Sequence, residues 1–274
     1  LEEFVNRLSE FQGKKDLLAS YSQPPFFDGL TMMTPDRLLR RVTLSLAGRL
    51  PTEEEHAALN KRGLRTLDSI LDELMKEDAF YERLLEGFND VFLTQGYDGN
   101  SELVLSYDHF NKTRHWYQKY DLNHVPEKER QKARYKLTGD YRQALRREPL
   151  ELIKYIVSND RPITELVTAD YIMVSPYSAR GYGIFEQVRG QFKNPDDHLE
   201  YVRTQLPALK ARSGKVQKSE TGRYPHSGLL STFQYLRRYP TTDTNRNRLR
   251  SRMYYQFFLG VDILELASRV NDAA

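Results

Sequence analysis

Apolar residues recur at the three- and four-residue spacing of an amphipathic helix in several separate segments of this chain. In the clearest segment Thr34 suits the N-cap, Pro35 suits the first helical position, and Gly48 suits the end of a helix. Pro51 to Glu55 opens a second helix, with acidic residues in the first turn where the helix dipole favours them. The pattern predicts an all-α fold, an irregular multi-helix bundle with a long loop-rich insert.

The same spacing predicts further helices at residues 1–20, 64–95, 149–157, 163–169, 171–174 and 244–268. The aromatic segment 101–120 is assigned to a helix as well. Residues 121–146 are highly charged, and within them the stretch from Glu127 to Arg134 is interpreted as a solvated helix face or an exposed loop. Residues 193–224 have few apolar anchors and are assigned to a loop, with a small β element between 182 and 209 as the alternative.

We therefore predict a single helical domain over residues 1–274. Its parts are an N-terminal helix and linker (1–30), a helical core (31–175), the loop-rich insert (176–225) and a C-terminal helical segment (226–274). Because the chain begins at Leu1 rather than at a methionine, we expect a processed form or a piece of a longer protein.

The chain contains no cysteine, which excludes disulfides, cysteine-ligated zinc, iron–sulfur clusters and thiol catalysis within it. Covalent haem attachment within this chain is excluded too, because it needs Cys-x-x-Cys-His. The 41 basic and 38 acidic residues leave a net charge of +3, which does not predict nucleic acid as a partner. Since no run of roughly 18 apolar residues occurs, no membrane-spanning helix is expected. No cofactor and no metal site is predicted within the chain.

Four strings of the sequence resemble, in the same order, domains of unknown function described from planctomycetes, over roughly residues 32–271. They are Arg37–Arg41 through Leu46–Thr52, Asn159–Pro162 with Leu166–Tyr171, His226–Leu230, and Thr244–Arg248 with Phe258–Asp262. The resemblance implies a periplasmic or extracellular location in the cell envelope and an association with c-type cytochromes. In such proteins a Cys-x-x-Cys-His tail follows the last helix. Haem c is therefore expected on a C-terminal tail beyond Ala274 or on a partner protein.

Five side chains are the candidate binding residues. Arg246, Arg248 and Arg250 either pair with acids of neighbouring helices or bind a carboxylate such as a haem propionate, because guanidinium binds carboxylates bidentately. His226 is either a loop histidine bonded to backbone groups or a ligand or proton relay near a redox partner. Trp116 belongs to an aromatic segment suited to flat ligands or sugars. No catalytic residue is assigned.

Three functions remain open on the sequence. The first is a structural and docking domain of a cytochrome-associated electron-transfer assembly, with a protein partner such as a c-type cytochrome. The second is an enzyme acting on an extracellular polymer or small molecule, with Trp116, His226 and the arginines joined in one cleft. The third is a subunit of a larger envelope complex.

Overall fold

The structure is a computed structural model, and it describes residues 31–97, 100–103, 108–206, 226–240, 244 and 248–266. Within these ranges the chain is mainly helical, with one small two-stranded sheet, which confirms the predicted fold class. The helix predicted at residues 1–20 lies outside the described residues. The chain forms two compact units, one containing described residues up to Leu44 with Arg49–Leu71, the other Ser45–Gly48 with the described residues from Asp72 onward. The predicted domain boundaries stay predictions.

The first stretch of the fold contains three helices and a short 3₁₀ segment. Their bounds are α1 (Pro35–Ala47), α2 (Glu53–Arg62), a 3₁₀ turn (Gly63–Thr66) and α3 (Leu67–Leu74). The expected boundaries of α1 are confirmed, because it begins at Pro35 and Gly48 follows it at φ +64°. Leu39, Leu59 and Ile70 form the small core of the first unit.

A capping box and an ion pair fix the start of α2. The Thr52 hydroxyl accepts from the Glu55 amide at 3.2 Å, and the Glu55 carboxylate accepts from the Thr52 amide at 2.8 Å. The same carboxylate receives two hydrogen bonds from the Arg49 guanidinium, at 3.0 and 2.7 Å. The polar residues Arg49, Thr52 and Glu55 are thus explained by helix-start geometry.

The second unit carries the longest helix and the sheet. Its elements are α4 (Asp78–Phe92), a 3₁₀ turn (Ser101–Leu103), α5 (Asp108–Asn111), a 3₁₀ turn (Trp116–Gln118), α6 (Glu127–Ser158), α7 (Glu165–Thr168), β1 (Ile172–Val174), α8 (Pro176–Tyr182), α9 (Phe185–Val188), a 3₁₀ turn (Arg189–Gln191), β2 (Val202–Thr204), a 3₁₀ turn (Gly228–Ser231), α10 (Phe233–Arg238), α11 (Arg248–Leu259) and α12 (Ile263–Leu266). The predicted helices at 101–120 and 244–268 are therefore each interrupted.

Helix α6 corrects the prediction of a charged stretch followed by a separate helix from Pro149. It is one helix of 32 residues with Pro149 inside it. An interior proline costs a helix roughly 3 kcal/mol. Each large apolar side chain buried on the same helix returns about 1.5–3 kcal/mol. Leu145, Leu150, Leu152 and Ile153 are all buried here, so tertiary packing outweighs the local penalty.

The strand β1 corrects a second prediction, because residues 171–174 were expected to be helical. Ile172–Val174 instead pairs antiparallel with Val202–Thr204, with Met173 opposite Arg203. A short apolar run cannot be assigned to a buried helix or a buried strand from its periodicity alone. Its partner β2 lies in the segment for which a β element was the alternative.

A carboxyl group is buried in the core between α6 and α8. Glu148 is fully buried, and the Tyr182 hydroxyl donates to its Oε2 at 2.8 Å. Burial raises the pKa of Glu148 from its usual 4.5 to about 8, although hydrogen bonds from Ser178 and Tyr182 oppose the shift. The neutral acid is therefore the favoured form near neutral pH, where most glutamates are ionised.

We expect the substitution Glu148→Gln to flatten the pH dependence of stability. Between about pH 4.5 and pH 8 the folded chain holds a proton that the unfolded chain releases, so stability falls as pH rises through this window. At pH 7 the raised pKa of Glu148 destabilises the folded state by on the order of 3 kcal/mol, and the glutamine removes this destabilisation. Denaturant unfolding at several pH values measures the slope. The control Glu129→Gln removes an exposed carboxyl from the same helix, and an unchanged slope in Glu148→Gln would contradict the assignment.

Candidate functional site

A cavity of about 240 Å³ lies where α10 and α11 meet the 3₁₀ turn Gly228–Ser231. We call it the tyrosine–arginine pocket, and it is defined by Leu230, Tyr235, Arg250, Ser251, Tyr254 and Tyr255. Of the five predicted binding residues, its lining includes Arg250 and contains neither Trp116 nor His226.

The Arg250 side chain is anchored to the end of α10. Its Nε donates to the Tyr239 carbonyl at 2.7 Å, and an Nη donates to the Leu236 carbonyl at 3.1 Å. These carbonyls lie at the C-terminal end of a helix, where a positive charge is favoured. The contacts hold a permanent positive charge in a fixed position in the pocket wall.

Tyr235 lines the same pocket, and its hydroxyl is buried. The residue is 1% exposed, and its hydroxyl oxygen has no hydrogen-bond partner among the described residues. Burial raises the pKa of Tyr235 well above its usual 10, so the phenol is neutral. An unsatisfied buried hydroxyl costs about 1–3 kcal/mol, which a ligand bearing an acceptor would recover.

Tyr254 and Tyr255 form the outer wall of the pocket. Their rings meet edge to face at 6.0 Å, and Tyr255 is 41% exposed. Neither tyrosine is among the five predicted binding residues, so their place in the pocket was not predicted. A signal was present, since Tyr254 follows Arg250 and Tyr255 follows Ser251 at the four-residue spacing that places side chains on one helix face.

His226 lies outside the lining and is 8% exposed. Burial lowers the pKa of His226 to about 4, although a backbone hydrogen bond with Ala169 and the nearby Asp170 carboxylate act in the opposite direction. The ring is therefore neutral at pH 7. Both interpretations of His226, as a loop histidine bonded to backbone groups and as a ligand or proton relay, stay predictions.

Two of the resembled strings pack against each other beside His226. The Gly228 amide donates to the Ala169 carbonyl at 2.9 Å. Gly228 has φ +51°, and a Cβ there would overlap the Leu166 carbonyl. Glycine is therefore required at this position for both its conformation and its size. The next turn carries Leu230 into the pocket wall.

Trp116 lies in a different cluster of the second unit, built around Arg180. The Arg180 guanidinium carbon is 5.3 Å from the Trp116 ring and 3.7 Å from the Phe185 ring. An Nη of Arg180 also donates to the Pro176 carbonyl at 2.9 Å. Partly desolvated cation–π contacts of this kind contribute about 1–2 kcal/mol, so Trp116 stabilises the packing here, and its binding role stays a prediction.

Of the other two candidate arginines, the structure describes one. Arg248 is exposed at the first residue of α11, whereas Arg246 lies outside the described residues. Arg252, four residues after Arg248, was not a candidate, and its guanidinium donates to the Asp262 carboxylate at 2.8 and 2.5 Å. Binding by Arg246 and Arg248 stays a prediction.

Two general features complete the description of the site. Among the described residues, no group of three or more histidine, aspartate or glutamate side chains is placed to hold a metal ion. No described helix is long and apolar enough to cross a membrane.

We expect Gly228→Ala to lower the free energy of unfolding by at least about 2 kcal/mol, since the new Cβ meets a carbonyl and adopts an unfavourable φ. Chemical denaturation measures the change. Gly190→Ala is the matched control, because a Cβ at Gly190 meets nothing within 4 Å. Equal effects of the two substitutions would contradict the close approach.

We expect His226 to make the protein sensitive to acid. The unfolded imidazole takes up a proton below about pH 6.5, whereas the folded one does so only near pH 4, so stability is lost as pH falls through this window. The loss is at most about 1.4 kcal/mol per pH unit. An NMR titration of the ring, with the exposed His124 as reference, measures the pKa directly. A midpoint near 6.5 for His226 would rule out this source of acid sensitivity.

Comparison with known proteins identifies one similar family. The model described as PSD4, protein of unknown function (DUF1592), matches residues 106–184. The matched region includes the string Asn159–Tyr171, and the other three resembled strings lie outside it. No curated protein and no solved structure matches the chain. Residues 106–184 are thus similar to a domain of unknown function.

Proposed function

We propose that this chain is a docking domain in a cytochrome-associated electron-transfer assembly of the cell envelope, periplasmic or extracellular. The tyrosine–arginine pocket is its docking point, and the partner is a haem c group carried on a C-terminal tail or on a c-type cytochrome. The resemblance supports the cell-envelope location and the haem-bearing partner. The side chains that line the pocket support the binding of a carboxylate-bearing group.

The size of the pocket is the observation that carries the proposal. Sites that enclose a whole small ligand measure roughly 300–1,000 Å³. A cavity of about 240 Å³ has room for the edge of a large flat group and leaves the rest outside. Such partial insertion is suited to docking a group that remains attached to its own protein.

The lining supports a carboxylate-bearing edge in particular. Arg250 places a fixed positive charge in the wall, and the Tyr235 hydroxyl lacks a partner among the described residues. A haem propionate carries both the negative charge and the acceptor oxygens that these two groups favour. The rings of Tyr254 and Tyr255 offer flat apolar contact to the remainder of the edge.

The enzyme alternative requires Trp116, His226 and the arginines to share one cleft. Of the described residues in that set, Arg250 alone lines this pocket, whereas Trp116 and His226 lie outside its lining. We therefore favour docking. The third alternative, a subunit of a larger envelope complex, corresponds to the same docking surface without a requirement for haem.

The proposal predicts saturable binding of a haem c undecapeptide that retains its Cys-x-x-Cys-His attachment. A change in the Soret absorbance during titration measures it. Tyr254→Ala and Tyr255→Ala each weaken binding by roughly tenfold, as expected for an aromatic contact at the centre of an interface. Tyr135→Ala is the matched control, since Tyr135 is 69% exposed on α6 and does not line the pocket.

A chemical variant of the probe tests the charge without disturbing the anchored Arg250. Methyl esterification of the haem propionates should remove most of the binding. Equal binding of the ester would show that the carboxylate contact is wrong. The docking proposal itself is lost if the wild-type chain binds no haem peptide, or if the pocket variants bind as well as Tyr135→Ala.

A further inference from the structure

The first unit has a cavity of its own, of about 330 Å³, between the beginning of α1 and the loop that leads into α2. We call it the double-arginine pocket, and it is lined by Asp36, Arg37, Arg40, Leu50, Pro51 and His56. The docking proposal does not involve any of these residues.

The charges of this pocket are unbalanced. Arg37 and Arg40 lie three positions apart on α1, and no carboxylate of the described residues forms an ion pair with either. The one acid in the lining, Asp36, is faced by the His56 imidazole, with 3.4 Å between Oδ1 and Nδ1. Two like charges at this helical spacing repel each other, and a bound anion would relieve that repulsion.

The pocket also has an apolar wall, Leu50–Pro51, which is firmly held. Leu50 is 55% exposed, so its side chain is accessible to a ligand. Arg49 and Thr52 flank Leu50 and Pro51, and both bind the Glu55 carboxylate. This double anchoring fixes the Leu50–Pro51 segment, so that the apolar surface is presented without a large loss of conformational freedom.

We infer that the double-arginine pocket binds a phosphate monoester. Two guanidinium groups match the double negative charge and the paired oxygens of the phosphate. The organic part of the ester then rests on Leu50 and Pro51. The volume of about 330 Å³ exceeds what a phosphate ion alone needs and lies at the lower end of the range for whole small-molecule sites.

Calorimetric titration of the whole chain with three probes tests the inference. The probes are phenyl phosphate, inorganic phosphate and benzoate, at one low ionic strength. Phenyl phosphate is expected to bind most tightly, because only it supplies both the dianion and the apolar group. Equal affinity of phenyl phosphate and inorganic phosphate would overturn the role of the apolar wall. Binding of benzoate as tight as phenyl phosphate would overturn the preference for a dianion.

A matched pair of double variants tests the location. The variant Arg37→Ala/Arg40→Ala should lose at least about tenfold in affinity for phenyl phosphate, as expected when charge-assisted hydrogen bonds are removed. The variant Arg62→Ala/Arg65→Ala removes two exposed arginines of the same unit that do not line the pocket, and it should bind as the wild type does. Equal losses in both variants would indicate attraction by net charge alone and would overturn the site.

A third variant separates the wall from the arginines. Leu50→Ser should keep the affinity for inorganic phosphate and lose the preference for phenyl phosphate. Thermal melts of all the variants establish that each one is folded. Unchanged discrimination in a folded Leu50→Ser protein would contradict the proposed position of the organic group.

Discussion

The burial of the C-terminal half of α6 is the constraint on which the second unit depends. A helix of 32 residues extends for roughly 48 Å, and only its second half is enclosed by other elements. That half holds Leu145, Leu150 and Ile153 in the core, and it also carries Pro149 and the neutral Glu148. Pro149, which would disrupt an isolated helix, and the buried carboxyl of Glu148 are therefore tolerated, because the packing of surrounding elements outweighs the cost of both.

Local signals predicted the beginnings and ends of helices well. Thr34, Pro35 and Gly48 mark the ends of α1, and acidic residues open α2, since the stereochemistry that defines a helix end involves only neighbouring residues. The interior of the fold was harder to predict. The strand Ile172–Val174 and the continuous α6 both owe their conformation to partners distant in the sequence, which no periodicity reveals.

In the candidate site, too, side-chain chemistry could be predicted from the sequence, whereas contacts between distant elements could not. Arg250 was identified from its chemistry, but its anchoring to the Leu236 and Tyr239 carbonyls and its proximity to Tyr235 arise only when α10 and α11 pack. Trp116 was selected as part of an aromatic segment suited to flat ligands or sugars, and the structure places the Arg180 guanidinium against its ring. Side-chain type thus indicated the electrostatics, whereas the partners of the aromatic rings follow from tertiary packing.

The contact between Gly228 and Ala169 gives the pocket wall a measurable opening free energy. The Gly228 amide is hydrogen-bonded to a segment far away in the sequence, and the turn that follows it brings Leu230 into the pocket. This amide exchanges its hydrogen with solvent only when the two segments separate. Its exchange rate therefore reports on the cooperative unit to which the pocket wall belongs, and it distinguishes a local opening from unfolding of the whole α6 core.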